Sequence, residues 1–222
     1  MDVSVHAVVL TCGELRWPLP AVGVSIRSVP ARPGRDDLAD VLDSLDGRRL
    51  VVCGTDADLA AVVLRLLRTE RLSAVSVGYV PSSASSAVAR LWTLPVVPAD
   101  AAAVALGADP DPVPLLRDDT GGVLVGRGVV RTVHGVAYCD DDLVLRGSAS
   151  RIEVVPDLQH GLLVRVVRRG LLGRRVQQAA GRAVQLGCLP TAVLRDGVAA
   201  RTNDRWTWYR HTEDLRLVRG LL

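Results

Sequence analysis

Short apolar runs recur through the first half of the chain, and the intervals after the second run leave room for helices. Four of them are rich in valine and leucine and predict β-strands: Val3 to Leu10, Ala21 to Ile26, Leu50 to Cys53 and Ala74 to Val80. The third run is apolar throughout, which is typical of a strand covered on both faces of a parallel sheet.

Helical spacing fills the gaps between the later runs. Apolar residues recur at i, i+3, i+4 and i+7 from Asp36 to Leu45 and predict an amphipathic helix. A second stripe runs from Leu59 to Leu67, and a third helix follows the serine-rich loop Ser82 to Ser86. Strand, turn and helix repeated at this spacing predict βαβ units and a parallel sheet.

The second half consists of short valine- and leucine-rich segments separated by Gly, Asp and Pro. This spacing predicts an antiparallel β-sandwich, with Asp140 to Asp142 and Asp196-Gly197 as turns. The change falls in a Pro- and Ala-rich connector, Pro95 to Pro114, in which Ala99 to Leu106 could form two helical turns. We therefore predict an α/β domain over residues 1–114, followed by an all-β domain over residues 115–222.

The amino-acid composition excludes several classes of mechanism and ligand. All 27 basic residues are arginine, which excludes mechanisms that need a lysine, and phenylalanine is also absent, as is typical of a GC-rich genome. The net charge of +3 is too small for nucleic-acid binding by bulk electrostatics. The cysteines and histidines show no metal-ligand spacing. Without a signal peptide or a long apolar run, we expect a cytoplasmic protein with reduced thiols.

Three segments carry a family resemblance, in the family's own order. Val51 to Val63 reads V-V-C-G-T-D-A-D-L-A-A-V-V, and Val80 to Pro95 reads V-P-S-S-A-S-S-A-V-A-R-L-W-T-L-P. The third pairs G-R-A-V from Gly181 with V-L-R-D-G-V from Val193. They resemble the G-G-D-G-T loop with its helix, the I-P-L-G-T-G-N-D-F-A-R-A-L-G-L-P segment and the D-G-E strand pair of the diacylglycerol kinase and NAD kinase superfamily. The resemblance implies a small parallel α/β domain followed by an antiparallel β-sandwich domain.

The resemblance also implies a site for ATP and magnesium on two loops. The first comprises Gly54, Thr55 and Asp56, with Asp56 toward the metal. The second comprises four serines: Ser82, Ser83, Ser85 and Ser86. Backbone N–H groups of such loops approach phosphate oxygens. Asp196 matches the acid of D-G-E and is the one catalytic candidate, because Val198 stands where the family has its general base.

The residues that would carry phosphoryl transfer differ from the family pattern more than the residues that maintain the fold. Asp58 replaces the loop threonine, and a second carboxylate facing phosphates would repel them unless a metal intervenes. We therefore expect a degenerate phosphoryl-transfer site between the domains, a pseudokinase that retains nucleotide or anionic-lipid binding. Two alternatives stay open. One is an active ATP-dependent lipid kinase, and the other is a non-catalytic interaction module whose cleft is filled by side chains such as Asp58.

Ordinary structural roles compete with these chemical ones. Asp56 could N-cap the helix that starts near Asp58, and the serines could cap the next helix. Asp196 before a glycine is also a good turn residue. Trp206 and Trp208 share one strand face, either as core residues or as a ligand platform.

The densest basic run lies in the second half. It contains six arginines: Arg165, Arg168, Arg169, Arg174, Arg175 and Arg182. They could contact an anionic lipid headgroup or a membrane surface, with Leu171 and Leu172 as an apolar tip. The alternative is a solvated hairpin.

Overall fold

A computed structural model describes residues 6–170 and 173–220 and divides the chain into two compact units. The first unit comprises Met1–Val113 with Glu213–Leu222, and the second comprises Pro114–Thr212. Leu171 and Leu172, the predicted apolar tip, lie outside the described residues, as does the start of the predicted first strand.

The elements are numbered in chain order. They are β1 (Ala7–Cys12), β2 (Val24–Val29), α1 (Arg35–Asp43), β3 (Arg49–Gly54), α2 (Asp56–Arg68), β4 (Val77–Pro81), α3 (Ala87–Leu91), α4 (Pro98–Gly107), β5 (Pro110–Val113), β6 (Leu116–Asp118), β7 (Val123–Leu124), β8 (Gly128–Cys139), β9 (Asp142–Asp157), β10 (Gly161–Gly170), β11 (Gly173–Gly181), β12 (Ala183–Thr191), β13 (Val193–Arg195), β14 (Val198–Ala199), β15 (Asn203–Arg210) and β16 (Leu215–Val218).

The first unit is built on a mainly parallel sheet in the order β2-β1-β3-β4-β16-β5. Strands β1 to β4 and β16 pair in parallel, and β5 runs antiparallel to β16. Helix α4 packs tightly on β4 at Gly78, where a Cβ atom would lie 2.7 Å from the carbonyl oxygen of Ala105. The predicted parallel sheet is confirmed.

The last strand lies in the first sheet, although the sequence placed it in the all-β domain. In β16, Leu217 pairs with Val77 of β4, and Leu215 pairs with Val113 of β5. Leu215, Leu217 and Val218 are buried there. The apolar pattern identified the strand, but alternation along a strand does not specify its partner.

The second unit is an antiparallel sheet in the order β11-β10-β9-β8-β12-β15-β6-β7, with the β13–β14 hairpin attached to β8. Strand β10 also contacts β12 and β15, which are not its neighbours in the sheet, so the sheet folds over a shared core. Trp206 and Trp208 lie in that core, 1% exposed each, with ring centroids 5.5 Å apart. The predicted antiparallel β-sandwich and the core interpretation of the two tryptophans are confirmed.

Candidate functional site

The Gly54–Asp58 loop joins β3 to α2 and is closed by its own side chains. Thr55 is the N-cap of α2, and its hydroxyl accepts a hydrogen bond from the Asp58 N–H at 3.2 Å. In return, the Asp58 carboxylate accepts the Thr55 N–H at 2.7 Å and the Thr55 hydroxyl at 2.8 Å. This reciprocal pair is a capping box, which satisfies donors that a helix start would otherwise leave free.

Asp58 also ties the loop to the segment after β2. Its second carboxylate oxygen accepts the Arg32 N–H at 2.6 Å, and the residue is 3% exposed. Gly54 permits this arrangement, because a Cβ atom at Gly54 would lie 2.8 Å from the Cβ of Asp58. The glycine therefore makes room for a carboxylate of the same chain, and Asp58 turns inward instead of facing outward from the loop.

Asp56 connects this loop to the serine loop after β4. Its carboxylate accepts the Tyr79 hydroxyl at 2.9 Å, the Ser86 hydroxyl at 2.5 Å and the Ala87 N–H at 2.7 Å. Of the two roles that the sequence left open for Asp56, the N-cap of its own helix is excluded, because Thr55 holds that position. Asp56 instead binds the first residue of α3 and fixes the start of that helix.

The serine loop is bonded largely within itself. Ser86 is the N-cap of α3 and accepts the Ala89 N–H at 3.0 Å, which confirms the capping interpretation. The hydroxyls of Ser83 and Ser85 are 2.8 Å apart, and the Ser82 N–H donates to the Gly54 carbonyl at 2.8 Å. A phosphate site on these four serines remains a prediction.

Asp196, in the second unit, holds a turn. Asp196 (φ +47°) and Gly197 (φ +87°) connect β13 to β14, so the predicted turn is confirmed. The Asp196 carboxylate accepts the N–H groups of three successive residues: Val125 at 3.1 Å, Gly126 at 2.8 Å and Arg127 at 2.9 Å. At 6% exposure this carboxylate is committed to the backbone before β8, and Val198 lies in β14.

An ion pair between a partly exposed arginine and a buried aspartate, which the sequence did not predict, lies beside this turn. The Arg195 guanidinium donates to Asp118 at 2.6 Å, and Asp118 also accepts from Thr120 and from the Gly122 N–H at 3.0 Å. Burial works against ionisation of Asp118, but these hydrogen bonds and the Arg195 charge hold its pKa below the ordinary value. The dipeptide Arg195-Asp196 was visible in the sequence, but its link to Asp118 spans strands far apart in the chain.

Five of the six arginines of the predicted basic run lie in the β10–β11 hairpin and divide between its two faces, while Arg182 follows β11. Arg169 is paired with Arg174, and Arg168 is paired with Arg175. Directly opposed residues share a face, and successive residues on a strand point to opposite faces. The two arginine pairs therefore lie on opposite faces of the sheet, and Arg165 is on the same face as Arg169.

Buried thiols account for the cysteines near the first loop. Burial, with the nearby Asp58 and Cys53 as smaller contributions, raises the pKa of Cys12 to about 12. A thiol of such high pKa is protonated and unreactive at neutral pH. Within residues 6–170 and 173–220, no group of three or more His, Cys, Asp or Glu side chains is placed to hold a metal ion.

Solved structures share the fold. The crystal structure of a diacylglycerol kinase from Bacillus anthracis str. Sterne matches with a TM-score of 0.70 at 11% identity, over 96% of this chain and 97% of that one. Two further structures of this kinase class from the same organism match with TM-scores of 0.70 and 0.71 at 12% and 11% identity and the same coverage. No protein-family model and no curated protein sequence matches the chain. The chain therefore has the diacylglycerol kinase-like fold that the resemblance implied.

The helices of the described part of the chain are all too short or too polar to cross a membrane.

Proposed function

We propose that this chain is a non-catalytic binding protein on the diacylglycerol kinase-like fold, one that does not transfer a phosphoryl group from ATP. The proposal follows the degenerate-site interpretation of the sequence and concerns the loops around Asp56 and the turn at Asp196. A fold alone does not supply a function, so the argument rests on the hydrogen bonds of these side chains.

The observation that carries the proposal is the position of Asp58. In a glycine-rich phosphate loop, backbone N–H groups stay free to approach phosphate oxygens. Here the Thr55 N–H is bonded to the Asp58 carboxylate at 2.7 Å. A phosphate at this loop would have to displace a buried carboxylate and would meet its negative charge.

The groups present do not fit ATP with magnesium at this loop. Asp56 would have to bind the metal, but its two oxygens already accept three hydrogen bonds, from Tyr79, Ser86 and Ala87. Releasing those donors would leave the start of α3 without its partner, because Ser86 and Ala87 open that helix. We therefore assign Asp56 a structural role.

The general base is also missing. Valine cannot take a proton from a lipid hydroxyl, and Val198 stands at the family's base position. Asp196 is the nearest carboxylate in sequence, but three backbone N–H groups occupy it. This supports a protein that binds a ligand without carrying out phosphoryl transfer to it.

The proposal is tested by thermal melting with and without ATP and magnesium, on the wild type, Asp56→Asn and the control Asp36→Asn. A ligand at about one hundred times its Kd stabilises a protein by about 2.7 kcal/mol, which gives a measurable rise in Tm. We expect no rise that depends on Asp56, and no labelled product when ATP and diacylglycerol are supplied together. A rise lost in Asp56→Asn and kept in Asp36→Asn would refute the proposal, as would a phosphorylated lipid product.

The ligand class that fits a binding role is anionic. The arginines of the β10–β11 hairpin were predicted to contact an anionic lipid, and we retain that contact as part of the proposal. Reduced thiols and a cytoplasmic location are the matching environment that we propose, with the described cysteines all free of disulfides.

A further inference from the structure

Four arginines surround a cavity of about 290 Å³ on the second unit's sheet. They are Arg131 of β8, Arg151 of β9, Arg169 of β10 and Arg174 of β11, and Thr132, Ser150 and Val167 complete the lining. We call this site the arginine cavity. The four strands are consecutive in the sheet, so each contributes one guanidinium.

The strand register brings these residues to one face. Arg131 is paired with Arg151, Arg151 with Val167, and Arg169 with Arg174. Paired residues share a face, and Arg169 follows Val167 by two positions on the same strand. The neighbouring residues that point the other way, such as Ile152 and Val166, belong to the core. The arginine cavity therefore lies on the outer face of the sheet.

Positive charge in the cavity is mostly unbalanced. Arg151 pairs with Glu153 at 3.2 Å, and Glu153 also lies 3.7 Å from Arg127. Within the described residues, no carboxylate forms an ion pair with Arg131, Arg169 or Arg174. Like charges directly opposite each other destabilise a sheet, as at Arg169 and Arg174. An anion bound in the cavity would offset that repulsion.

We propose that the arginine cavity binds a phosphate group, carried either by a phospholipid headgroup or by a soluble phosphate. Guanidinium groups donate paired hydrogen bonds that match phosphate oxygens, and several around one cavity give both charge and geometry. The volume is close to that of small-molecule pockets and accommodates a phosphate with part of its carrier. This inference rests on the proposed function, because it names the ligand of the proposed binding protein.

One exposed apolar side chain beside the cavity is compatible with a lipid carrier. Val176 of β11 is opposite Val167 on the same face and is 47% exposed. It lies two positions beyond Arg174 along the strand, so an exposed apolar side chain borders the guanidinium groups. The experiment below separates a lipid carrier from a soluble one.

Adjacent arginines of β11 supply a matched control. Arg174 and Arg175 are both exposed, but Arg174 lines the cavity and Arg175 points to the opposite face. Arg174→Gln and Arg175→Gln remove the same charge from neighbouring positions of the same strand. A difference between them therefore reports the cavity and not the net charge of the chain.

The test measures binding of the wild type, Arg174→Gln, Arg175→Gln and Arg169→Gln/Arg174→Gln to two probes. One is vesicles of phosphatidylcholine with phosphatidic acid, followed by co-sedimentation against phosphatidylcholine alone, and the other is inorganic pyrophosphate, followed by calorimetry. We expect Arg174→Gln to weaken binding about fivefold and the double variant about twentyfold, with Arg175→Gln close to the wild type. Circular dichroism and melting of each variant show that it is folded.

The two probes separate the sources of phosphate. Binding of vesicles but not of pyrophosphate would identify a lipid headgroup, and the reverse would identify a soluble phosphate. Equal losses in Arg174→Gln and Arg175→Gln would overturn the site, as would the absence of any binding that depends on Arg174. An ATP response lost in Asp56→Asn but kept in the double arginine variant would instead refute the proposed function and leave this site standing.

Discussion

Two charged regions of this molecule differ in whether their charged side chains have partners within the chain. In the Gly54–Asp58 loop, each of two carboxylates accepts three hydrogen bonds from the same chain: Asp56 from Tyr79, Ser86 and Ala87, and Asp58 from Thr55 and Arg32. In the arginine cavity, a single one of the four guanidinium groups has an ion-pair partner within the described residues. Charge satisfied internally stabilises the fold, whereas charge left unbalanced around a cavity remains for a ligand.

The second unit contains both situations. Arg195 pairs with the buried Asp118, and its guanidinium also lies 5.8 Å from the centre of the Trp206 ring. Arg174 is exposed, and the nearest charge across the strand pair is another arginine. Arginine therefore has a structural role at position 195, where it is paired, and is available to a ligand at position 174, where it has no ion-pair partner among the described residues. Stability measurements can distinguish the two roles.

The largest effect should follow removal of the buried partner. Asp118→Ala leaves the donors of Thr120 and Gly122 without their acceptor and the partly exposed Arg195 guanidinium without its carboxylate, so the free energy of unfolding should fall by about 3–4 kcal/mol. Denaturant unfolding followed by circular dichroism measures the loss. Asp119→Ala, a change at the exposed neighbour, is the control. Equal stability of the two variants would contradict the structural role of the pair.

A smaller loss is expected at the first loop. Asp58→Ala leaves the Thr55 N–H, the Thr55 hydroxyl and the Arg32 N–H without their acceptor, and we expect unfolding to be easier by about 2–3 kcal/mol. The same unfolding assay measures it, with Asp36→Ala at the exposed start of α1 as the comparison. A loss no larger than that of Asp36→Ala would show that the loop does not depend on Asp58.

The pH dependence of stability should also report the ion pair of Asp118 and Arg195. Because the folded-state pKa of Asp118 lies below its ordinary value of 3.8, its ionisation stabilises the protein fully above that value. The stabilisation is lost as pH falls below 3.8 and through the lower folded-state pKa. Melting between neutral and acidic pH should therefore give a shallower decline in Asp118→Asn than in the wild type. Parallel declines would contradict the assignment.

The smallest effect on stability is expected in the arginine cavity. Arg174→Gln removes an exposed group and relieves its repulsion with Arg169, so the free energy of unfolding should change by less than about 0.5 kcal/mol. Unfolding curves recorded beside those of Arg175→Gln measure this. A loss comparable to that of Asp58→Ala would mean that Arg174 is a structural residue.

Local patterns predicted most of the elements and turns. The helices around Leu38 and Leu59 and the turn at Asp196-Gly197 follow from apolar spacing and turn chemistry that act over a few residues. The closure of the first loop was also readable, because Thr55 and Asp58 have the spacing of a capping box. The family resemblance instead predicted a phosphate-binding loop at the same positions.

Long-range pairing was not available from the sequence. The partner of β16, the bond from Arg195 to Asp118 and the approach of Arg131 to Arg174 all depend on strand order. The sequence analysis singled out the hairpin because its arginines are close together in the chain. Arg131 and Arg151 lie outside that run, so half of the cavity's arginines were not predicted. Strand register, which fixes which side chains share a face, supplies the missing information.

The most direct test is an NMR titration of labelled wild-type protein with ATP and magnesium, because ATP presents phosphate groups to both regions at once. The account predicts that the amides of Thr55 and Ala87 do not move, and that any saturating shifts concentrate on Arg131, Arg151, Arg169 and Arg174. Saturating shifts at Thr55 and Ala87, with the arginine signals unchanged, would contradict it and show an open nucleotide loop.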